Sequence, residues 1–376
     1  MPSRRRPLTI DNMNNRTRPV ARLYRALESE IFHQMAQTFK RRANIPMGES
    51  GTLQYQIERL ADLQNIEEST IKRLAQMTGR VEEEIREALI TNGGDVIHDT
   101  DHFLKQAGIR VTPVKDVRRL VDTYINQTFL EIDNYINQTL ITTNFGQGSL
   151  AMMYRDALSD VQISFSAGHY TLDEAIGRAV MKWIDKGVPS TFIDKGGHRW
   201  SMTRYVETVL RSTNSRLYNE LRIRRMAEFD MTLVVMSSKL SAREACAPIQ
   251  GKVVDISVDR KKPNYPNVHD YGYGEPWGTR GINCGHMWFP YKEGISHNTQ
   301  VQYDPEEAME MEKLNQQRNK LDRDIDKLRQ KIDAAETLEL KQLPDLKDRL
   351  KRKMTERRQF EESWRELRQD FYDRSK

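Results

Sequence analysis

The chain has 376 residues, 38% of them hydrophobic, so it can bury a sizeable core and has the length of two or three domains. It contains neither a run of roughly 18 apolar residues nor a signal-peptide segment, which predicts a protein made in a cytoplasm with no membrane contact. Two cysteines are too few for a disulfide framework, so a free thiol or a metal thiolate is expected.

The net charge of +5 is concentrated at the N-terminus. Residues 1–45 hold ten Lys or Arg against three Asp or Glu, which is +7, so +5 minus +7 leaves −2 for the rest of the chain. Such a basic arm is typical of a contact with nucleic acid or with an acidic protein surface, and a solvated tail is the alternative. The candidate contact residues are Arg4, Arg5, Arg6, Arg16, Arg18, Arg22, Arg25, Lys40, Arg41 and Arg42.

Helical periodicity runs through the chain from this arm to about residue 227. Apolar residues spaced three or four apart from Val20 to Ile31 predict a helix within 1–45. Segment 46–112 predicts a layer of short helices, separated by Gly, Ser/Thr and Asn-Gly signals, after a break at 44–52.

Segment 113–227 predicts a bundle of longer helices. Apolar residues keep a helical period from Val117 to Leu140, which predicts one long helix. Further helices are expected at about 149–165, 171–187 and 199–226.

The composition changes near residue 230. The runs 231–238, 252–258 and 287–291 are short and rich in β-branched or aromatic residues, which predicts three strands. The chain between the last two is dense in Gly, Pro and Tyr. These features predict a small α+β module at 228–295.

Residues 304–376 predict a C-terminal long-helix hairpin or coiled coil, so the expected fold class is α+β and predominantly α-helical. Apolar residues keep heptad spacing over three heptads, as in a coiled coil or in a helix packed on its own protein. Leu343-Pro344 then predicts a break before a second amphipathic helix. The heptad residues are Met311, Leu314, Leu321, Ile325, Leu328 and Ile332.

Four potential zinc ligands fall within the module: Cys246, His269, Cys284 and His286. Structural zinc takes four Cys or His ligands, so the number fits, although only Cys284 and His286 are closely spaced. The alternative is a buried Cys246 in an apolar core and a hydrogen-bonded His286. A thiol nucleophile at Cys284 with His286 as base is a third hypothesis, without an orienting residue to support it.

The module resembles the phage minor capsid protein 2 family, minor head proteins similar in role to the Mu-type head morphogenesis proteins. The resemblance extends over most of the chain and is most specific between 204 and 291. The matching residues are Ser237-Ser238, Ala242-Arg243, the run Cys246-Ala-Pro-Ile-Gln-Gly-Lys-Val253, Tyr273-Gly-Glu-Pro276 and Gly281-Ile-Asn-Cys284-Gly-His286.

The resemblance implies a non-enzymatic structural protein of a tailed-phage virion, located in the capsid interior or at the portal vertex. Its implied partners are the portal protein, packaged double-stranded DNA and other head proteins, and its implied role is in head assembly or DNA ejection. Family members often carry His where this chain has Lys239, so His269 would replace that ligand or no metal binds. The alternatives are a zinc-stabilised DNA-binding protein and a virion-borne nucleotide transferase or nuclease.

Overall fold

The computed structural model describes residues 8–40, 49–114, 116–132, 134–135, 152–156, 159–161, 170–193, 199–260, 262–281 and 284–374. Within these ranges, long helices dominate and two small antiparallel sheets are present, one of two strands and one of three, which confirms the predicted α+β, predominantly α-helical fold class. None of the helices in these ranges is long and apolar enough to cross a membrane.

Long helices make up the body of the protein. The predicted 149–165 helix is seen only as short helical segments at 152–156 and 159–161, and the continuation of the predicted 117–140 helix beyond 132 lies mostly outside the described residues. A short antiparallel hairpin that the sequence did not predict, β1 (Pro189–Ile193) with β2 (Arg199–Ser201), precedes the last body helix. The body helices are α1 (Ile10–Lys40), α2 (Glu49–Gln106), α3 (Val117–Ile132), α4 (Leu172–Lys186) and α5 (Met202–Ala227).

One apolar core joins the five body helices. Side chains from the predicted segments 1–45, 46–112 and 113–227 all contribute to it. The division of the chain into folding units remains a prediction. Fully buried members include Tyr24 of α1, Val81 of α2, Val121 of α3, Val180 of α4 and Tyr218 of α5.

The prediction of short helices in 46–112 was wrong, because this segment forms the single helix α2 from Glu49 onward. Its hydroxyl residues do not break the helix: Thr78 and Thr100 donate to the carbonyls of Leu74 and Val96, four residues earlier. Gly93 is also tolerated, and it lets Val121 of α3 pack directly against the backbone of α2. A glycine inside a helix costs only about 1 kcal/mol, which tertiary packing readily offsets.

Glu28 of α1 is a buried carboxylate that ties α1 to the start of α5. It accepts hydrogen bonds from the backbone N–H of Val188 at 2.9 Å and from the hydroxyl of Thr203 at 2.7 Å. Burial raises the pKa of Glu28, and the two hydrogen bonds offset only part of that effect. The folded chain therefore holds the Glu28 proton more tightly than the unfolded chain does.

We expect the parent protein to lose stability as the pH rises because of Glu28, and we expect Glu28→Gln to remove this loss. Because the folded pKa is raised, the contribution of Glu28 is fully present below its ordinary value of 4.5 and is lost as the pH rises through the raised pKa. Thermal melts between pH 4 and 8 should show the variant gaining stability relative to the parent as pH increases. Glu30→Gln, at an exposed position of the same helix, is the control. A constant difference between parent and Glu28→Gln would contradict this prediction.

The three strands predicted in the 228–295 module are confirmed. They are β3 (Leu233–Met236), β4 (Val253–Asp255) and β5 (Trp288–Pro290), and β3 lies between the other two in an antiparallel sheet. Val235 pairs with Val253 on one side and with Phe289 on the other. A second apolar core under this sheet contains Trp288, Ile249, Val268 and both cysteines.

The C-terminal helices α6 (Pro305–Thr337) and α7 (Leu343–Arg374) form the predicted hairpin. Asp304 caps α6 by accepting hydrogen bonds from two backbone N–H groups of its first turn. Met311 near the start of α6 packs against Trp364 and Phe371 near the end of α7, so the helices are antiparallel. The turn precedes Leu343, and Pro344 lies in the first turn of α7, where proline is tolerated.

Candidate metal centre

Cys246, Cys284 and His286 come together beneath the sheet. Cys246 lies in the connection between β3 and β4, and the other two lie in the segment that leads into β5. Residues two apart in an extended segment point to the same side, which brings Cys284 and His286 to one face. Their potential ligand atoms and the Cys246 sulfur all lie within 4.8 Å of one another, and all three side chains are buried.

The distances within this group suit a tetrahedral metal ion. The two sulfurs are 3.9 Å apart, and Cys284 Sγ lies 3.6 Å from His286 Nδ1. Zinc bonds of about 2.3 Å to sulfur and about 2.0 Å to nitrogen place two sulfurs roughly 3.8 Å apart, and sulfur and nitrogen roughly 3.5 Å apart, in a tetrahedron. The two measured separations therefore fit one zinc ion, and the Cys246 sulfur lies within 4.8 Å of the His286 ligand atom.

Gln250 holds the His286 ring in the tautomer that metal binding requires. Its Oε1 accepts the backbone N–H of Lys239 at 2.9 Å, which identifies this atom as the oxygen of the amide. The same oxygen lies 3.2 Å from His286 Nε2, so Nε2 carries the proton and donates it. The lone pair of Nδ1 then faces Cys284, as in metal sites where a second partner orients the histidine.

The surroundings favour a thiolate at Cys284. Hydrogen bonding from Cys246 lowers the pKa of Cys284 most, and the nearby charge of Arg280 lowers it further, against the opposing effect of burial. The same hydrogen bond raises the pKa of Cys246. A zinc ion would bind both sulfurs as thiolates.

A polar face of α5 fixes the backbone of the segment that carries Cys284 and His286. Ser215 donates its hydroxyl hydrogen to the carbonyl of Cys284 at 2.8 Å, and Asn219 donates to the carbonyl of His286 at 3.3 Å. Asn219 also accepts a hydrogen bond from the backbone N–H of Trp288 at 2.8 Å, and Arg222 donates to the Trp288 carbonyl at 3.0 Å. We refer to Ser215, Asn219 and Arg222 as the α5 ladder.

His269, the fourth ligand predicted from the sequence, does not join this group. It lies in a single 3-10 turn, Val268–Tyr271, in which Val268 is buried in the module core. The ring of His269 packs edge-on against Tyr273, with 5.3 Å between ring centroids. The amine of Lys239 lies over Gly285, the residue between the ligands Cys284 and His286. The described residues therefore bring together three of the predicted four ligands.

Burial argues against the thiol-nucleophile hypothesis. Cys284 does contact His286, as the spacing of two residues predicted. The exposed fractions are only 4% for Cys284 and 3% for His286, so the sulfur has no surface at which a substrate could meet it. This environment is suited to a structural centre or to a packed core.

The basic residues predicted as contacts fall into three groups. Arg16 and Arg25 make ion pairs within the chain, Arg16 with Asp95 at 2.8 Å and Arg25 with Glu207 at 2.6 Å. Exposed Arg18 and Arg22 make no ion pair with the part of the chain that the structure describes. Lys40 is the last residue of α1, and the residues outside the described ranges are Arg4, Arg5, Arg6, Arg41 and Arg42.

Sequence reasoning missed Gln250, Arg280 and the α5 ladder as parts of this site. Gln250 belongs to the run that carries the family resemblance, but nothing in its spacing shows that its amide faces His286. Arg280 donates to the carbonyl and hydroxyl of Ser215, both at 3.0 Å, and it has a positive φ of 67°. Such contacts depend on folding over long sequence separations, which periodicity does not reveal.

Comparison with known proteins places the chain in a family. The model of the family described as phage minor capsid protein 2 matches residues 8–366. A structural protein of Lactococcus phage LL-H is 36% identical over 302 residues, which cover 74% of this chain and 81% of that protein. A structural protein of Lactococcus phage mv4 is 43% identical over 79 residues, which cover 21% of this chain and 64% of that protein.

No solved structure matches the chain. The family match nevertheless covers both the helical body and the module with the metal-ligand geometry. The resemblance predicted from the residues between 204 and 291 is confirmed. The chain belongs to the phage minor capsid protein 2 family and is a structural protein of a phage virion.

Proposed function

We propose that this protein acts at the portal vertex of the phage head, where it contacts the portal protein, other head proteins and packaged double-stranded DNA during head assembly or DNA ejection. The observation that carries the DNA contact is the basic surface at its N-terminus. The family relationship supports a virion location. The role proposed is structural, and the family relationship supports it over a virion-borne nucleotide transferase or nuclease.

Arg18 and Arg22 are the described part of this basic surface. They lie four residues apart on α1, so they project from the same side of the helix. Both are exposed, and neither is neutralised by an acidic side chain of the described chain. Arg4, Arg5 and Arg6 precede this helix in the sequence and add three more positive charges. Exposed arginines without an acidic partner bind phosphate groups through their positive charge and through two parallel N–H donors of the guanidinium.

Charge substitutions test the contact better than deletion of residues 1–45. Deletion would remove α1, whose Val20, Tyr24 and Ile31 are buried in the body core. We expect a variant with Arg18 and Arg22 changed to Gln to bind duplex DNA more weakly, with a log–log salt slope shallower by about 0.9 per lost phosphate contact. Binding titrations over a salt series measure both quantities.

A control variant carries Lys72→Gln and Arg73→Gln, which are exposed cations of α2. Unchanged DNA binding by the Arg18 and Arg22 variant would exclude these residues as phosphate contacts. Incorporation into portal-containing particles is measured separately. Loss of incorporation with intact DNA binding would assign the arginines to the portal instead.

We also propose that one structural zinc ion stabilises the 228–295 module, with Cys246, Cys284 and His286 as three of the four ligands that tetrahedral zinc takes. The observation that carries this proposal is the fit of the 3.9 Å and 3.6 Å separations to tetrahedral zinc. Orientation of His286 by Gln250 supports it, since zinc-binding histidines are held in this way. The zinc would be structural, because its ligands are buried.

A further inference from the structure

We infer that α7 carries a second phosphate-binding surface for double-stranded DNA, separate from the N-terminal basic residues. Segment 347–358 holds seven Lys or Arg against two Asp or Glu, a net charge of +5 over three turns. We define the α7 basic surface by Lys351, Arg352 and Arg358. This inference rests on the proposed DNA contact but not on the residues assigned to it above.

The ion pairs of α7 involve other basic residues than those of the α7 basic surface. Lys347 pairs with Glu336 and Lys353 with Glu356, each at 2.8 Å. Arg357 pairs with acidic residues of α6 and α7. The three residues of the α7 basic surface are exposed and make no ion pair within the described chain.

The spacing along α7 suits a nucleic-acid backbone. A helix rises about 1.5 Å per residue, so the seven steps from Lys351 to Arg358 span roughly 10 Å. Duplex DNA presents one phosphate per about 3.4 Å along each strand, so this length faces about three phosphates of one strand. Lys351 and Arg358, seven residues apart, project from the same side of the helix.

The composition favours DNA over a protein partner. Besides Lys347, Lys351 and Arg358, the shallow depression is lined by Leu350, Met354 and Thr355, and Leu350 packs in the apolar cluster between α6 and α7. The centre of a protein–protein interface is rich in aromatic and apolar residues and depleted in lysine. The unpaired cations Lys351 and Arg358, beside a depression without an aromatic residue, match the phosphate-dominated contacts of DNA-binding proteins instead.

The test compares the parent with a triple variant, Lys351→Gln, Arg352→Gln and Arg358→Gln. The matched control is Lys72→Gln, Arg73→Gln and Arg118→Gln, which removes the same one lysine and two arginines from exposed positions of α2 and α3. Each protein is titrated against a 30-base-pair duplex at several salt concentrations. Thermal melts check that the variants remain folded.

We expect the α7 variant to lose about tenfold or more in affinity at 100 mM salt, with a salt slope shallower by about 2 to 3, and the control to match the parent. Parent-like binding by the α7 variant, while the Arg18 and Arg22 variant is weakened, would overturn the α7 surface and leave the proposed DNA contact intact. Equal weakening in the α7 variant and the control would show a net-charge effect and also overturn it. Absence of parent binding even at low salt would overturn both.

Discussion

The protein purified without chelator is expected to contain about one zinc ion per chain, and removal of that ion should lower its stability. The separations of Cys284 from Cys246 and from His286 already match those in tetrahedral zinc sites. Structural zinc contributes roughly 10 kcal/mol to small domains that lack their own core. Because this module also has an apolar core and helical neighbours, we expect a smaller loss of about 3 kcal/mol, roughly 4 °C in Tm for a chain of this length.

Elemental analysis, chelator melts and cobalt substitution measure this effect. Cys246→Ser and Cys284→Ser should each abolish metal binding, the chelator response and the cobalt–thiolate absorption. His269→Ala is the matched control, because His269 lies in the same module but outside the ligand group. If the reconstituted parent holds no zinc and melts identically with and without chelator, the three side chains form a hydrogen-bonded core and no metal site.

Replacement of Arg222 by alanine is expected to lower the free energy of unfolding by about 3 kcal/mol. Arg222 is only 1% exposed, donates to the Trp288 carbonyl at 3.0 Å and pairs with Asp99 of α2. Its guanidinium also lies 4.4 Å from the ring centroid of Tyr218. The substitution leaves a buried carbonyl without a donor and a cavity where three elements meet.

Arg224→Ala on the same helix is the control, because Arg224 is exposed. A surface substitution of this kind changes stability by about 0.5 kcal/mol or less. Denaturant unfolding, with the slope compared between variants, gives both values. Equal midpoints for the two variants would show that Arg222 contributes nothing beyond an exposed arginine.

Local pattern predicted the elements whose signals are local. The β-branched run at Leu233–Met236 gave a strand, and heptad spacing from Met311 to Leu328 gave a buried helix face. The proximity of Cys284 and His286 followed from their spacing. By contrast, the continuity of α2 depends on contacts made in the folded protein. The hydroxyls of Thr78 and Thr100 donate to carbonyls within the helix, and Val121 of α3 packs over Gly93.

The metal centre was predicted only in part for a related reason. Cys246 is 38 residues from Cys284, and Gln250 is 36 residues from His286, so these contacts depend on how β3, β4 and β5 pair. Residue type alone favoured His269 as the fourth ligand and gave no reason to select Gln250. Val268 is buried in the module core, and this burial turns the neighbouring His269 away from the metal ligands.

The α5 ladder binds main-chain atoms of residues 284, 286 and 288 and none of their side chains. These hydrogen bonds require no particular side chain at positions 284 and 286, provided that the backbone keeps its course. Metal binding and the docking of this segment on α5 thus depend on different atoms of the same residues. A substitution that removes a metal ligand therefore leaves the backbone acceptors of the α5 ladder in place.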